Sequence, residues 1–241
     1  MLDAKRYNTV IKEIIEESPT TKIFRLWFPE ISEFTFKAGQ FVMVWDEEFK
    51  NEKGIPIKRA YSITSSPSEK RFIELCVKKS GNMALSDRFM NYKIGKAIGV
   101  EGPFGKFIIP DNIKNAMFIA GGTGIAPLIC MIRDLQSRKF KGKIYLLYSF
   151  KCPEEFLYKE EITKLETHDN ANVLLFVTEN MASEWKGNIG RINFETLKKQ
   201  INHDDMDFFI CGPFDFVSSI TRDLENLNFK SEKVHKEAWQ S

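Results

Sequence analysis

The run Ala116-Met117-Phe118-Ile119-Ala120, followed at once by Gly121-Gly122-Thr123-Gly124 and then by Ile125-Ala126-Pro127, constrains this chain more than any other stretch. Five consecutive apolar residues suit a strand buried on both faces, as parallel sheets use. The glycines turn the chain tightly and leave backbone N–H groups uncovered. Pro127 fits a first helical turn, where its missing N–H is no loss. Beyond it Leu128, Met131, Ile132 and Leu135 recur at helical spacing as far as Arg138. Strand, glycine turn and helix in this order form a cradle for a phosphate, because free N–H groups and the positive end of the helix dipole face one point. The pattern departs from G-x-G-x-x-G, since Pro127 stands where the third glycine belongs. A tight strand-to-helix turn with no ligand is the plainer alternative.

The same alternation continues to the end of the chain. Ile144 to Phe150, Val173 to Thr178 and Phe208 to Cys211 read as strands, and Glu154 to Leu165, Asn193 to Gln200 and Phe214 to Leu227 as helices. Such alternation predicts a Rossmann-like α/β domain, a parallel sheet with helices on both faces. The first half has another rhythm. Asn8 to Glu16, Ile23 to Phe28, Gln40 to Trp45, Ala60 to Thr64 and Phe72 to Lys78 are short runs rich in β-branched and aromatic residues, separated by turn signals such as Ser66-Pro67 and Ser80-Gly81. They predict an antiparallel β-barrel, with one helix over Ala84 to Tyr92. Pro110-Asp111-Asn112 reads as a linker, so the expected division is 1–110 and 111–241.

Composition narrows the function classes. A net charge of +2 is too small and dispersed for a nucleic-acid protein. Met1 to Lys12 carries charges where a signal peptide needs its apolar core. The most apolar window, Ala116 to Ile132, is broken by glycines and a proline and does not read as a membrane span. Cys76, Cys130, Cys152 and Cys211 lack the grouping that a disulfide framework or an iron–sulfur cluster needs. His168, His203 and His235 lie apart in polar surroundings and suggest no metal site. A cytoplasmic protein is expected.

Further residues suggest ligand chemistry. At the end of the strand after the glycine turn, a dehydrogenase would carry an acid for a ribose hydroxyl. Here Ser149-Phe150-Lys151 offers a hydroxyl and a cation, which leans toward the 2′-phosphate of NADPH; Lys151 reads equally as a solvated loop lysine. Cys211-Gly212-Pro213 ends a later strand, at the edge where open α/β sheets bind ligands, so the thiol could lie against a nicotinamide. A buried structural cysteine is the alternative. In the first half, Arg59-Ala60-Tyr61-Ser62 joins a cation able to grip a diphosphate, a ring able to lie against a flavin, and a hydroxyl able to donate to a ring nitrogen. Arg59 and Tyr61 share a strand face. Gly81 and the helix opening at Leu85-Ser86 could supply N–H groups to the same diphosphate, favouring FAD over FMN. Ser86 as a simple helix cap is the alternative.

Taken together, Gly39-Gln40-Phe41, Arg59-Ala60-Tyr61-Ser62, Gly102-Pro103-Phe104-Gly105, Gly121 to Pro127 and Cys211-Gly212-Pro213 give nearly the whole chain a resemblance to the ferredoxin–NADP reductase superfamily. The resemblance implies a six-stranded Greek-key barrel holding FAD and an α/β domain holding NAD(P)H. It implies that Arg59 binds the flavin diphosphate, Tyr61 stacks on the flavin, Ser62 contacts N5, and Cys211 sits by the nicotinamide. The tail Glu237-Ala238-Trp239-Gln240-Ser241 resembles the family's acid and aromatic ending, with Glu237 a candidate catalytic group and Trp239 a candidate cover for the flavin. Trp239 as a plug for an apolar gap is the other reading.

Two features depart from the family pattern. Phe214-Asp215-Phe216 stands where Pro and Met are common, and the Gly81 to Ser86 loop is a residue longer than usual. The implied activity is hydride transfer between NAD(P)H and bound FAD. Electrons then leave to a separate acceptor, with ferredoxin or flavodoxin the first choice. A free-flavin reductase and a non-catalytic, redox-sensing subunit are the alternatives.

Overall fold

The computed structural model describes residues 5–179, 185–201 and 205–239, so His203, Gln240 and Ser241 lie outside the described residues. The chain divides into two compact units, one running to Ile108 and taking in Ile129–Arg138, the other made of Ile109–Leu128 with Lys139 onward.

The first unit holds β1 (Arg6–Ser18), β2 (Thr21–Trp27), β3 (Phe41–Trp45), β4 (Arg59–Ser62), β5 (Phe72–Lys78), the short helix α1 (Leu85–Phe89) and β6 (Ala97–Phe104). The strands pair antiparallel in the order β4-β3-β6-β1-β2-β5. An Ile63–Leu75 bridge closes the sheet on itself, with the Thr64 N–H donating to the Glu74 carbonyl at 2.8 Å. Placing β6 between β3 and β1 makes this a Greek-key barrel. Its interior is filled from alternate positions by Ile11, Phe24, Leu26, Val42, Val44, Leu75 and Val100, all with no exposed surface. The sequence reading missed β6 as a strand because Gly99, Gly102 and Pro103 interrupt its apolar run.

Two carboxylates are buried in this unit, Asp46 and Glu74. The Glu74 carboxylate accepts from Arg133 at 2.7 Å, Arg25 at 3.1 Å and Thr64 Oγ1 at 3.0 Å. Arg133 also donates to the Thr64 carbonyl at 2.7 Å. Burial opposes ionisation of Glu74, but the Arg133 charge and these hydrogen bonds outweigh it and hold the carboxyl below its ordinary range.

The second unit contains β7 (Asn115–Gly121), the start of α2 (Ile125–Ser137), β8 (Ile144–Phe150), α3 (Lys159–Glu166), β9 (Ala171–Val177), β10 (Asn188–Ile189), α4 (Phe194–Gln200), β11 (Met206–Pro213), α5 (Phe214–Asn226) and β12 (Val234–Trp239). All six strands are parallel, in the order β10-β9-β8-β7-β11-β12. Every residue of β8 is buried, as a strand covered on both faces requires. The helix expected over Glu154 to Leu165 is split by an extended Phe156 and a left-handed Tyr158 (φ 55°). Phe156, Leu157 and Tyr158 are all buried, and three adjacent residues cannot share one helical face. β10 and β12 were also not read from the sequence, β10 being two residues long and β12 carrying His235, Lys236 and Glu237 in succession.

Removing Arg133 leaves a buried carboxylate short of its nearest cation, so Arg133→Ala should cost about 3 kcal/mol in urea unfolding. Glu74 titrates lower in the folded protein, so its contribution is complete above the unfolded carboxyl pKa and is lost as pH falls through the folded value. Glu74→Gln should therefore flatten the acid limb of the stability profile; an unchanged limb would show that this carboxylate does not govern it.

Candidate functional site

In the first unit the candidate residues gather on β4 and α1. Neither face of β4 enters the core: Arg59 and Ala60 are exposed, and Tyr61 and Ser62 half-buried. Register with β3 sets Val44 opposite Arg59 and Val42 opposite Tyr61. The Arg59 guanidinium donates to the Lys58 carbonyl at 2.9 Å. Among the described residues no carboxylate lies within ion-pair distance of it, so its charge is available to an anion. The Tyr61 ring lies 5.8 Å from that of Phe89 on α1. Burial pushes the Tyr61 phenol well above its usual range, against the opposing pull of the Arg59 charge, so the ring stays neutral.

The loop before α1 differs from the expectation. The Gly81 N–H is not free: the Asp87 carboxylate accepts it at 2.9 Å, together with the N–H groups of Ser80 at 2.9 Å and Ala84 at 3.1 Å. These bonds hold the Asp87 carboxyl below its usual range, led by that from Gly81. Ser86 donates its hydroxyl to Ser80 Oγ at 3.1 Å, and Leu85 is buried. The chain's own carboxylate thus occupies the amide pocket that Gly81 was expected to offer a diphosphate. The signal for this in the sequence is the acid two residues beyond Leu85.

In the second unit the candidates meet at one edge of the sheet. The chain steps from β7 outward to β8, β9 and β10, then returns to the other side of β7 as β11. The carboxyl ends of β7 and β11 therefore flank the switch point, where open α/β sheets leave a crevice. Gly121 ends β7, and Cys211, Gly212 and Pro213 end β11, with Cys211 level with Ala120. Gly122, Thr123 and Gly124 form a 3₁₀ turn that runs into α2, with Pro127 in its first turn. A Cβ on Gly124 would stand 2.1 Å from the Cys211 carbonyl oxygen, so only glycine lets the turn cross β11 so closely. Gly122 is left-handed (φ 54°), and no atom lies within 4 Å of where its Cβ would be. That space, at a helix start whose first N–H groups have no intrahelical partner, fits a diphosphate.

Beside this crevice Cys211 is fully buried and pairs in register with Glu237 on β12. Burial, and after it the Glu237 charge, raise the thiol well above its ordinary pKa, so it is a neutral thiol. Burial raises the Glu237 carboxyl as well. Trp239 is half-buried, level with Pro213 at the same edge. Lys151, just past β8, is held 3.2 Å from Glu179, a partner the sequence reading did not consider.

Comparison with known proteins agrees with this arrangement. The family model described as Oxidoreductase FAD-binding domain matches residues 8–109, and that described as Oxidoreductase NAD-binding domain matches residues 118–222. The chain is 33% identical to NADH-cytochrome b5 reductase 2 of Lodderomyces elongisporus, over 78% of this chain and 70% of that protein. Its fold is similar to the flavohem-like FAD/NAD binding domain of nitric oxide dioxygenase from Vibrio cholerae, at a TM-score of 0.87 and 20% identity over 98% of this chain and 99% of that one. It is also similar to a ferredoxin NADP+ reductase from Neisseria gonorrhoeae with bound FAD and NADP, at a TM-score of 0.83 and 22% identity over 98% and 99% of the two chains.

The two glycines of the turn should respond differently to substitution. Gly124→Ala drives a methyl group into the Cys211 carbonyl and should sharply lower the thermal midpoint. Gly122→Ala meets no atom and should cost about 1 kcal/mol for its left-handed backbone. Equal midpoints for the two variants would contradict the close crossing.

Proposed function

Because the chain belongs to the ferredoxin-reductase-like family of FAD- and NAD-binding oxidoreductases, we propose that it oxidises NADH with a bound FAD and passes the electrons to a haem protein of the cytochrome b5 kind. In this reading residues 1–110 hold the flavin and 111–241 the nicotinamide nucleotide. The observation that carries it is the turn between β7 and α2, where no atom stands within 4 Å of a Cβ on Gly122 and Gly124 brings the turn against Cys211.

Bound FAD supplies a ring that accepts a hydride and releases its electrons singly, which a one-electron haem requires. The chain's own residues place the reactants. Arg59 pairs with the flavin diphosphate, the neutral Tyr61 ring lies along the flavin, and Ser62 donates a hydrogen bond to its N5 edge. Ala60 and the backbone beside Leu85 and Ser86 line the same site, and Gly81 shapes its loop through Asp87. Gly121 to Gly124 and Pro127 receive the nucleotide diphosphate, and Gly212 and Pro213 border it. The Cys211 thiol, kept uncharged, packs against the nicotinamide without opposing the positive charge that ring gains on oxidation. Glu237 orients that thiol, and Trp239 stands at the same sheet edge, level with Pro213. Four cysteines that form no disulfide suit the cytoplasm.

NADH is favoured over the NADPH that Lys151 had suggested. Glu179 occupies the lysine, and its carboxylate would accept ribose hydroxyls and repel a 2′-phosphate. The acceptor proposed here replaces ferredoxin or flavodoxin, because the related proteins carry the name NADH-cytochrome b5 reductase.

Under NADH the purified protein should reduce cytochrome b5 faster than ferredoxin or flavodoxin, and NADPH should support a lower kcat/KM. Glu179→Gln should raise NADPH use relative to NADH. Faster ferredoxin reduction would overturn the acceptor, and an unchanged nucleotide ratio in the variant would overturn the role of Glu179.

A further inference from the structure

The departure at Phe214-Asp215-Phe216 has a structural counterpart at the switch point. Phe216 lies in the first turn of α5 and is half-buried. A Cβ on Gly121 would stand 3.0, 3.1 and 3.2 Å from Cδ1, Cγ and Cε1 of its ring. Three successive ring atoms at nearly equal distance mean that Gly121 looks onto the face of the ring; an edge-on approach would leave one atom much nearer than its neighbours. A Cβ on Gly212 would stand 2.8 Å from the same Cδ1 and 3.3 Å from the Gly121 Cα. One aromatic ring therefore lies across the tips of both β7 and β11. The two adjacent glycines leave it the room that any side chain would take.

This seat is specific in position. It adjoins the open space at Gly122, where the turn offers its amides, and it lies beside the end of β11 that carries Cys211. A flat apolar surface there meets whatever planar group extends from a diphosphate held by the turn toward the thiol. Aromatic faces prefer offset stacking with such groups. We propose that Phe216 is a specificity-determining residue that stacks against the nicotinamide half of the nucleotide, and that Gly121 and Gly212 exist to seat its ring. The inference rests on reading this crevice as the nucleotide site.

The test uses the FAD-loaded protein with ferricyanide as acceptor, and compares Phe216→Ala, Phe216→Leu and Phe216→Tyr. Phe216→Ala should raise the KM for NADH by up to about tenfold, the order of one lost aromatic contact, with a smaller change in kcat. Phe216→Tyr should restore the KM, whereas Phe216→Leu, apolar but not flat, should not. The dissociation constant of ADP-ribose, which lacks the nicotinamide, should be the same in all four proteins, as should the ratio of flavin to protein absorbance. Restoration by Leu as full as by Tyr would make the ring mere packing and overturn the inference, as would equal weakening of ADP-ribose and NADH. Should Phe216→Ala fail to fold, the Leu and Tyr variants still decide between these outcomes. Wild-type protein that does not oxidise NADH at all would instead overturn the functional reading; wild-type activity with unaltered KM in every variant would overturn the inference alone.

Discussion

The close crossing of the glycine turn over the end of β11 is the constraint on which the nucleotide-binding half depends. Gly124 meets the Cys211 carbonyl at a separation that no side chain permits. That contact brings the start of α2 against β11, so the turn's amides, the Cys211 thiol and the Phe216 ring share one edge of the sheet. Strand order makes the edge possible: because β11 returns beside β7, two parallel strands end together with their connections departing in different directions. The local glycines and the global topology thus specify the same crevice, the consistency across levels expected of a chain with one well-defined fold.

The barrel meets a different difficulty. Closing a six-stranded sheet leaves a short pairing between the end of β4 and the middle of β5, where few backbone bonds are made. Glu74 lies in that seam and would be costly there alone. Arg25, Arg133 and Thr64 convert it into a tie, because Oε1 accepts from Thr64 and Arg133 and Oε2 from Arg25, groups on different parts of the unit. Such a network holds geometry more than it adds net stability, since desolvation consumes much of the Coulomb gain. Holding geometry is what β4 needs, because the same strand presents Arg59, Tyr61 and Ser62.

Much of this was legible in the sequence. The apolar runs within β7 and β8 and the alternation that follows them pointed to a parallel sheet, and the short aromatic runs before them to antiparallel strands. What escaped reading depends on contacts between distant residues. β6 hid behind Pro103 and behind Gly99 and Gly102, glycines that make room for neighbours the sequence does not name. Asp87 lies within the expected Ala84 to Tyr92 helix, yet it fills the amide pocket assigned to a ligand. Lys151 looked free until Glu179, on the next loop along the sheet edge, was brought beside it. Phe216 showed only as a departure from a pattern, and its meaning came from the two glycines beneath its ring. In each case residue type was visible and partner was not, so chemistry could be assigned to a half of the chain more readily than to an atom.

The most direct test of the account is an anaerobic visible spectrum of the purified protein before and after a stoichiometric addition of NADH. The account predicts a flavin spectrum that copurifies with the chain and bleaches on addition. A colourless protein, or a yellow one that NADH leaves unbleached, would contradict the assignment of flavin to the β4 strand or of nicotinamide to the β7–β11 crevice, respectively.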